Sequence, residues 1–407
     1  MNKLTEWLVK MPRELKLFGV ASLALGMGYS IFDSTFNNYL NSRFALTGFQ
    51  RSFLEFPREL PGFLVVFVSA SLWFLCSRRL GTVSIILGLA GTILIGFFSP
   101  TYALLVVWLF IYSMGQHVFM PVASTIGMEL ASEGKTGQRL GQLNAIRNLA
   151  AILGSLIVVF GFKYLGFTFN NTFFLTALAF AIAAILMFSM KPDKTHLPKT
   201  YFKLHKEYRL YYFLSILYGS RKQLFITFAP WVLVTVFNQP TQTMATLMVI
   251  GGVIGILFQP ILGWMIDHLG ERFVLASEAL LLIVVCFGYG FAKTLFPENI
   301  AFLIVCTCYL LDQMLMSVNM ARATYMKKIA LQPSDIQPAL TVSITIDHAF
   351  SIAIALIGGL IWNYFGFQYV FLLGALIALV DLAAALQISI PKQGSKPEIL
   401  FLEKEPE

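Results

Sequence analysis

The first long apolar stretch of the chain runs from Leu17 to Leu40 and reads LFGVASLALGMGYSIFDSTFNNYL. A helix needs about 20 apolar residues to cross the hydrocarbon core of a bilayer, so this stretch is long enough to span it. Its length and its interspersed polar residues argue against a cleaved signal peptide, and no small-residue cleavage site follows it. The stretch therefore predicts a first transmembrane helix with one carboxylate, Asp33, inside it.

The rest of the chain has the same character. Hydrophobic residues make up 57% of its 407 residues, charged residues make up only 12%, and the mean hydropathy is +0.74. These values exclude a soluble domain. We therefore predict an all-α polytopic membrane protein with twelve transmembrane helices in two pseudo-symmetric six-helix bundles. The predicted spans, numbered one to twelve, are approximately 16–40, 51–76, 82–99, 102–125, 140–162, 172–190, 208–236, 241–266, 273–293, 300–324, 338–362 and 368–390.

The distribution of Lys and Arg predicts the orientation of these spans. With both termini on the inner side, the inner segments hold 20 Lys and Arg, and the outer loops hold four, Arg43, Arg51, Lys163 and Lys293. Because cytoplasmic loops are enriched in positive charge, this bias predicts a multi-pass protein of a bacterial inner (plasma) membrane with both termini in the cytoplasm. The net charge of +8 is then a feature of topology, and we expect no nucleic-acid partner.

The two halves of the chain look homologous. The segments Tyr164–Phe167 (YLGF) and Tyr364–Phe367 (YFGF) match at an offset of 200 residues. Each follows one apolar span and precedes another. The same offset, applied upstream without gaps, aligns Arg147 with Asp347 and so places opposite charges at equivalent positions of spans five and eleven.

A second anchor aligns Leu80-Gly81 with Leu269-Gly270 at an offset of 189 residues. This alignment pairs Arg78 with Asp267, and Asp33 with Lys222. The long basic segment between spans six and seven separates the two halves. The predicted domains are an N-terminal bundle (1–190), a cytoplasmic linker (191–207), a C-terminal bundle (208–392) and a cytoplasmic tail (393–407).

The turn between spans eight and nine reads GWMIDHLGER from Gly263 to Arg272. It resembles the inner-loop signature of the major facilitator superfamily, Gly-x-x-x-Asp-[Arg/Lys]-x-Gly-[Arg/Lys], although His268 and Glu271 depart from it and Arg272 comes one place late. In that family such loops latch the two halves on the inner side in the outward-open state. The resemblance implies a cytoplasmic gate formed by Gly263, Asp267, Gly270 and Arg272. The alternative is a short turn that needs Gly and a polar cap, with Gly263 allowing close helix contact.

We single out nine charges inside the predicted spans, where each is costly and marks a polar interior. The superfamily resemblance implies that spans one, four, seven and ten line a central cavity and that two, five, eight and eleven flank it. We predict no charge deep in spans three, six or twelve, and Glu278 is expected to pair with loop cations. The interior charges are Asp33, Glu55, Glu59, Asp312, Asp347, Arg58, Arg147, Arg221 and Lys222.

The spacing of these charges within each span shows which of them share a helix face. In span two, Glu55, Arg58 and Glu59 share a face broken by prolines, which predicts either an ion triad in a moving outer gate or a static knot between spans one, two and eleven. In span seven, Arg221 and Lys222 are adjacent, so one is expected to face the cavity and the other a carboxylate. The remaining shared faces are Asp33 with Asn37, Asp312 with Asn319, and Ser343 with Asp347 and Ser351.

These groups give the predicted substrate-binding or ion-coupling residues. His117 and His348 are included because His titrates near neutral pH, although a satisfied hydrogen-bonding role is the alternative. Tyr218 is included as a ring on which a substrate could stack. We predict no metal site and no cofactor. The set is Asp33, Asn37, Glu55, Arg58, Glu59, Gln116, His117, Arg147, Tyr218, Arg221, Lys222, Asp312, Asn319, Asp347 and His348.

The predicted function is secondary-active transport of a small solute by alternating access, with the solute bound at the midplane between the bundles. No phosphate-binding loop is present, so energy would come from a gradient. Protons are the expected partner because interior carboxylates outnumber cations by one. The chain is expected to be a monomer in contact with lipid. Alternatives are a non-transporting sensor or assembly partner, or a multidrug or solute exporter, which Ile111 disfavours because such exporters carry Arg there. An enzyme is not expected.

Overall fold

The computed structural model describes residues 12–72, 74–132, 135–193, 205–332 and 335–389. Most of the predicted linker and the whole predicted tail lie outside these ranges. Within them the structure is helical, with a 3₁₀ turn at Lys206–Tyr208 and no strand. The α-helices are α1 Arg13–Phe44, α2 Gly48–Phe53, α3 Glu55–Ser71, α4 Ser77–Phe97, α5 Tyr102–Glu129, α6 Thr136–Tyr164, α7 Phe169–Phe188, α8 Arg209–Thr235, α9 Thr241–Leu295, α10 Glu298–Met316, α11 Asn319–Ile329, α12 Ile336–Phe365 and α13 Phe367–Ala385.

Nine helical segments of the described chain are long and apolar enough to cross a membrane. One of them, α9, has 55 residues, and Gly270 interrupts it with φ 81° and ψ 163°. A continuous helix of that length would measure about 80 Å, far more than a bilayer's hydrocarbon core. The left-handed backbone at Gly270 therefore divides α9 into two segments, as the sequence predicted for spans eight and nine.

Two other spans are interrupted. The second is divided at Leu54, between α2 and α3. Pro57 explains this break, because it has no N–H for the carbonyl oxygen of Phe53, one turn earlier. The tenth span is divided at Ser317 and Val318, between α10 and α11, which the sequence analysis did not predict.

The helices pack around two main apolar cores. Most of one core comes from α1, α4, α5 and α7, where Phe32 stacks on Tyr112 with ring centroids 4.2 Å apart. The other comes from α8 to α13, where Tyr289 stacks on Phe371 at 4.6 Å. Trp231 of α8 is an exception, because it packs in the first core. We call α1–α7 the first half and α8–α13 the second half.

The halves meet along two seams, with α2 and α3 packed on α12, and α6 packed on α9. We name the two ends of the molecule after α1, as the Arg13 end and the Phe44 end. Towards the Phe44 end, Ile31, Val158 and Ala245 form a small apolar cluster across the halves. There the Asn38 amide also donates to the carbonyl oxygen of Gln239 at 2.8 Å.

Candidate functional site

The charges of α1 to α3 form separate pairs. Arg58 Nη2 lies 3.4 Å from Asp33 Oδ1. Glu55 accepts from Arg51 Nη1 at 2.6 Å and, across the halves, from Gln223 Nε2 at 2.9 Å. Among the described residues no ion pair joins Glu55, Arg58 and Glu59 to one another, so the predicted triad is wrong. The partners of Arg58 and Glu59 are Asp33 and His348, which agrees with the alternative, a knot between spans one, two and eleven.

Arg51 corrects a second prediction. It was assigned to an outer loop, but its side chain is only 1% exposed. Its Nε donates to Asn37 Oδ1 at 3.0 Å, and it bonds Glu55 one turn ahead in the chain. Hydropathy could not reveal this burial, since Arg51 lies at the edge of an apolar stretch and its partners decide its position.

A buried ion network lies in the second half. Glu278 accepts from Arg221 at 2.5 Å and from Arg322 at 3.0 Å. Arg221 also reaches Asp312 at 3.3 Å, and Arg322 reaches Asp381 at 3.4 Å. Two predictions are corrected here: among the described residues Glu278 bonds these interior cations and no loop cation, and Asp381 places a buried charge in the last span. Arg322 was missed because it lies at the end of a predicted span.

Tyr218 lies beside this network. Its ring centroid is 4.6 Å from the Arg322 guanidinium and 5.6 Å from that of Arg221, with Lys222 Nζ at 5.9 Å. An aromatic face attracts cations at such distances. In this conformation the ring contacts the protein's own cations.

Lys222 and Asp347 form a third site, between α8 and α12. Lys222 Nζ lies 2.7 Å from Asp347 Oδ2, and Ser351 Oγ donates to the other carboxylate oxygen at 3.2 Å. Gly219 permits this approach, because a Cβ there would overlap Asp347. We predicted that one of Arg221 and Lys222 faces the cavity and the other a carboxylate, and this division is wrong because both have carboxylate partners.

Glu59, His117 and His348 come together from α3, α5 and α12. His348 Nδ1 lies 2.6 Å from Glu59 Oε2, and the two imidazole rings are 5.1 Å apart in an edge-to-face arrangement. One possible ligand atom from each residue lies within 4.8 Å of the others. The sequence analysis named all three residues but did not group them, since they are far apart in the chain.

Arg147 differs from the other interior cations. It is exposed on α6, and its Nη2 donates to Asn144 Oδ1 at 2.6 Å. Within the described residues it has no carboxylate partner. Asn319 is exposed beyond the α10 break, so it does not share a continuous helix face with the buried Asp312, contrary to the prediction. Gln116 is half-buried.

Two cavities lie away from these charges. One of about 920 Å³ opens at the Phe44 end, beside Arg43, Ser99 and Asn170. A second of about 400 Å³ lies between α6, α9 and α10, beside Lys163, Gln242 and Phe302. Neither contains a predicted site residue.

Residues 18–334 match the Major Facilitator Superfamily. The chain belongs to this superfamily. The resemblance in the sequence is thereby confirmed, and the protein is a multi-pass membrane protein of a solute-transporter class. A search of curated proteins found no match.

Solved transporters of this superfamily share the fold. A mutant form of the nucleoside transporter NupG superposes with a TM-score of 0.75 at 13% identity, over 92% of this chain and 99% of that chain. A D-xylose-proton symporter gives 0.71 at 12% identity, over 94% and 98%. A bacterial homolog of the human lysosomal transporter Spinster, inward-facing and unoccupied, gives 0.72 at 11% identity, over 92% and 96%.

The superfamily signature between the two segments of α9 has a distinct geometry. Gly270 has the left-handed φ of a turn, and the exposed Asp267 and Arg272 form no ion pair among the described residues. A Cβ on Gly263 would meet open space, so the predicted close helix contact is absent. Glu271, a departure from the signature, is buried 2.7 Å from Lys328 Nζ.

In this superfamily member, the backbone agrees with the first repeat anchor and disagrees with the second. Gly166 and Gly366, which the first anchor aligns, both have positive φ, at 62° and 107°, just after α6 and α12. The second anchor is wrong, because Gly81 lies inside α4 whereas Gly270 interrupts α9.

At the Arg13 end, the first half carries an ionic cluster around the start of α4. Arg78 contacts Glu14 at 3.2 Å, Glu129 at 3.1 Å and the carbonyl oxygen of Lys191 at 2.6 Å. Asp193 accepts from the backbone N–H groups of Ser77 and Arg78 at 3.1 and 3.0 Å. Burial opposes ionisation of Asp193, but hydrogen bonds from this helix start outweigh it and hold its pKa below the usual range.

Proposed function

We propose that this protein is a secondary-active transporter that moves a small solute with an anionic group by alternating access, coupled to protons. The observation that carries the proposal is the contrast among the four predicted interior cations. Arg58, Arg221 and Lys222 each have a carboxylate partner. Arg147 is exposed and has none among the described residues, where it bonds the neutral Asn144 side chain at 2.6 Å, so its guanidinium can bind a carboxylate or phosphate in a bidentate manner.

The proposal includes twelve spans with both termini in the cytoplasm of a bacterium. Nine candidate spans include α9, which Gly270 divides into two. The α2–α3 pair and α8 supply two more spans. They are not among the nine because they are too short or too polar. In this topology the Phe44 end faces outward and the Arg13 end faces the cytoplasm.

The proposed conformation is closed outside and open inside. Hydrogen bonds between the halves support it, because Asn38 bonds Gln239 near the Phe44 end and Gln223 bonds Glu55 further in. The exposure of Arg147 on the inner half of α6 agrees with an opening towards the Arg13 end. The solute would then leave the midplane, or reach it, from the cytoplasm.

Asp33 is the proposed proton carrier. Its side chain is 36% exposed. Arg58, Arg221 and Lys222 each lie near a carboxylate, and the distance to the nearest carboxylate oxygen is longest for Arg58, at 3.4 Å from Asp33. Glu55, by contrast, is 1% exposed and held at 2.6 Å. Protonation of Asp33 removes the attraction to Arg58, which can then turn towards an anionic solute. Proton binding and solute binding are linked in this way, and the similar fold of a proton symporter is consistent with it.

The test is uptake and efflux in proteoliposomes with matched panels of anionic and neutral metabolites, with and without a pH gradient. We expect flux of at least one anionic solute, and a drop of at least tenfold in Arg147→Gln. Arg139→Gln is the matched control, because Arg139 lies on the same helix and bonds Gln142 at 2.8 Å.

Asp33→Asn is expected to retain solute exchange and to lose its response to the pH gradient. Gradient-driven uptake that survives in Asp33→Asn would overturn the coupling assignment. Flux restricted to neutral solutes would overturn the role of Arg147. No flux for any solute would favour the non-transporting sensor.

A further inference from the structure

The group of Glu59, His117 and His348 has a composition that the transport proposal does not use. A carboxylate and two imidazoles offer ligand atoms within 4.8 Å of one another. Imidazole and carboxylate together suit borderline divalent transition metals such as Zn²⁺ and Fe²⁺, and two His with one carboxylate leave coordination positions open. We propose that these three residues bind a divalent transition-metal ion between the two halves.

The hydrogen bonds around His117 prepare it as a ligand. Its Nδ1 lies 3.0 Å from both the carbonyl oxygen and the hydroxyl of Ser113. The carbonyl can only accept a hydrogen bond, and the hydroxyl donates its proton to the carbonyl oxygen of Arg58, so both accept from Nδ1. A proton on Nδ1 leaves the lone pair of Nε2 free for a metal. In many metal sites, the ring nitrogen of His that does not bind the metal donates to a carbonyl oxygen. This hydrogen bond fixes the orientation of the ring. The atom of the His117 ring nearest Gly62 is Cδ2, which is bonded to Nε2. The side of the ring that bears Nε2 therefore lies towards Gly62.

Gly62 makes room for both rings. A Cβ at this position would lie 2.6 Å from His348 Cε1 and 2.7 Å from His117 Cδ2. Such distances are well inside van der Waals contact, so any side chain here would displace the two imidazoles. Gly62 follows Glu59 by one turn of α3, and the three ligands therefore converge around a place where the backbone carries no side chain.

The short contact between His348 and Glu59 indicates where the ion enters. Nδ1 and Oε2 are 2.6 Å apart, a hydrogen-bond distance. Two ligands of one tetrahedral zinc ion, each bonded at about 2.1 Å, are about 3.4 Å apart. The ion would replace the shared proton, and the two side chains would separate by less than about 1 Å.

The local charge balance accommodates a cation. The nearby Arg58 and Lys222 are each paired, with Asp33 and Asp347. These pairs cancel, so the carboxylate of Glu59 remains to compensate the ion. Because α3 and α5 belong to one half and α12 to the other, a bound ion would join the halves and stabilise conformations in which they meet here.

The experiment measures metal binding without transport, so its outcome is independent of the proposed function. The full-length chain, purified in detergent with a tag that contains no His and stripped with a chelator, is titrated with Zn²⁺ by calorimetry. Co²⁺ is used in parallel as a spectroscopic probe of ligand geometry. We expect one ion per chain and a higher Tm in its presence.

Four variants locate the site. Affinity should fall at least a hundredfold in His117→Ala and His348→Ala, and at least tenfold in Gly62→Ala, which keeps all three ligands. His205→Ala is the matched control, because His205 also lies near carboxylates, 4.0 Å from Glu207 and 3.9 Å from Asp335, but outside this group. Its affinity should not change.

Three results would overturn the proposal. The first is the absence of stoichiometric Zn²⁺ binding to a monodisperse wild-type chain. The second is wild-type affinity in the His117→Ala/His348→Ala double variant, and the third is loss of affinity in His205→Ala alone. If an alanine variant is not monodisperse, His117→Gln and Glu59→Gln, which are closer in volume, replace it and must weaken binding equally.

Discussion

At the residue scale, the interior charges are distinguished by their partners. Glu278 lies between two guanidiniums and its side chain is 0% exposed, so among the described residues Arg221 and Arg322 compensate its charge. Arg147 carries the same charge type as these two residues and is exposed. A buried pair is costly to break because the remaining charge has neither partner nor water, whereas an exposed charge loses little when its neighbour changes.

Glu278→Gln is expected to destabilise the protein by about 3–5 kcal/mol, because it leaves two buried guanidiniums with one carboxylate fewer. Unfolding in detergent, followed by tryptophan fluorescence, measures the effect. Glu298→Gln is the control, since Glu298 is exposed at the start of α10. Equal unfolding midpoints for the two variants would show that the network does not stabilise the fold.

At the element scale, breaks and caps decide where helices begin and end. Gly270 has φ 81° and ψ 163°, a backbone region essentially restricted to Gly. Gly270→Ala should therefore cost about 1–3 kcal/mol in the same unfolding assay. Gly263→Ala is the control, because Gly263 is helical and a Cβ there meets open space. A Gly270→Ala protein as stable as Gly263→Ala would contradict the strained turn.

Asp193 is the acceptor at the start of α4, and its removal should weaken the fold. Asp193→Ala is expected to cost about 1 kcal/mol at pH 7, as for loss of other helix caps. Because the folded pKa is lowered, the contribution is complete above the unfolded value of about 3.9 and is lost as pH falls through the lower folded pKa.

Unfolding of Asp193→Ala and of the native protein, compared from pH 7 down to pH 3, checks the cap. The difference in stability should be constant above about pH 4 and shrink below it. Asp267→Ala serves as the control, since the exposed Asp267 forms no hydrogen bond among the described residues. A difference that grows on acidification would have the wrong sign.

At the scale of the whole molecule, the two halves define an asymmetry between the ends. The proposed inward-open state predicts that Asn144→Cys, on a background without the four native cysteines, reacts with an impermeant maleimide from the cytoplasmic side. Asn38→Cys should resist the reagent from outside, because position 38 lies where the halves meet, within hydrogen-bond distance of Gln239 in the native protein. Faster labelling at residue 38 from outside than at residue 144 from inside would indicate the opposite state.

The sequence alone determined the membrane class, the positions of most helices and the presence of charged residues in them. These follow from local terms, namely the transfer free energy of each apolar stretch, the missing N–H of Pro57 and the left-handed backbone at Gly270. The superfamily could also be recognised from a local signature, although the contact predicted for Gly263 is absent in this conformation.

Only the tertiary structure decided which charges pair. Glu59 and His348 are 289 residues apart, and Arg221 and Glu278 are 57 apart, so no spacing rule joins them. The burial of Arg51 and Asp381 was missed for the same reason. Whether a charge is buried, paired or free depends on which helix packs beside it, and that is set by the packing of the whole chain and not by neighbours in sequence.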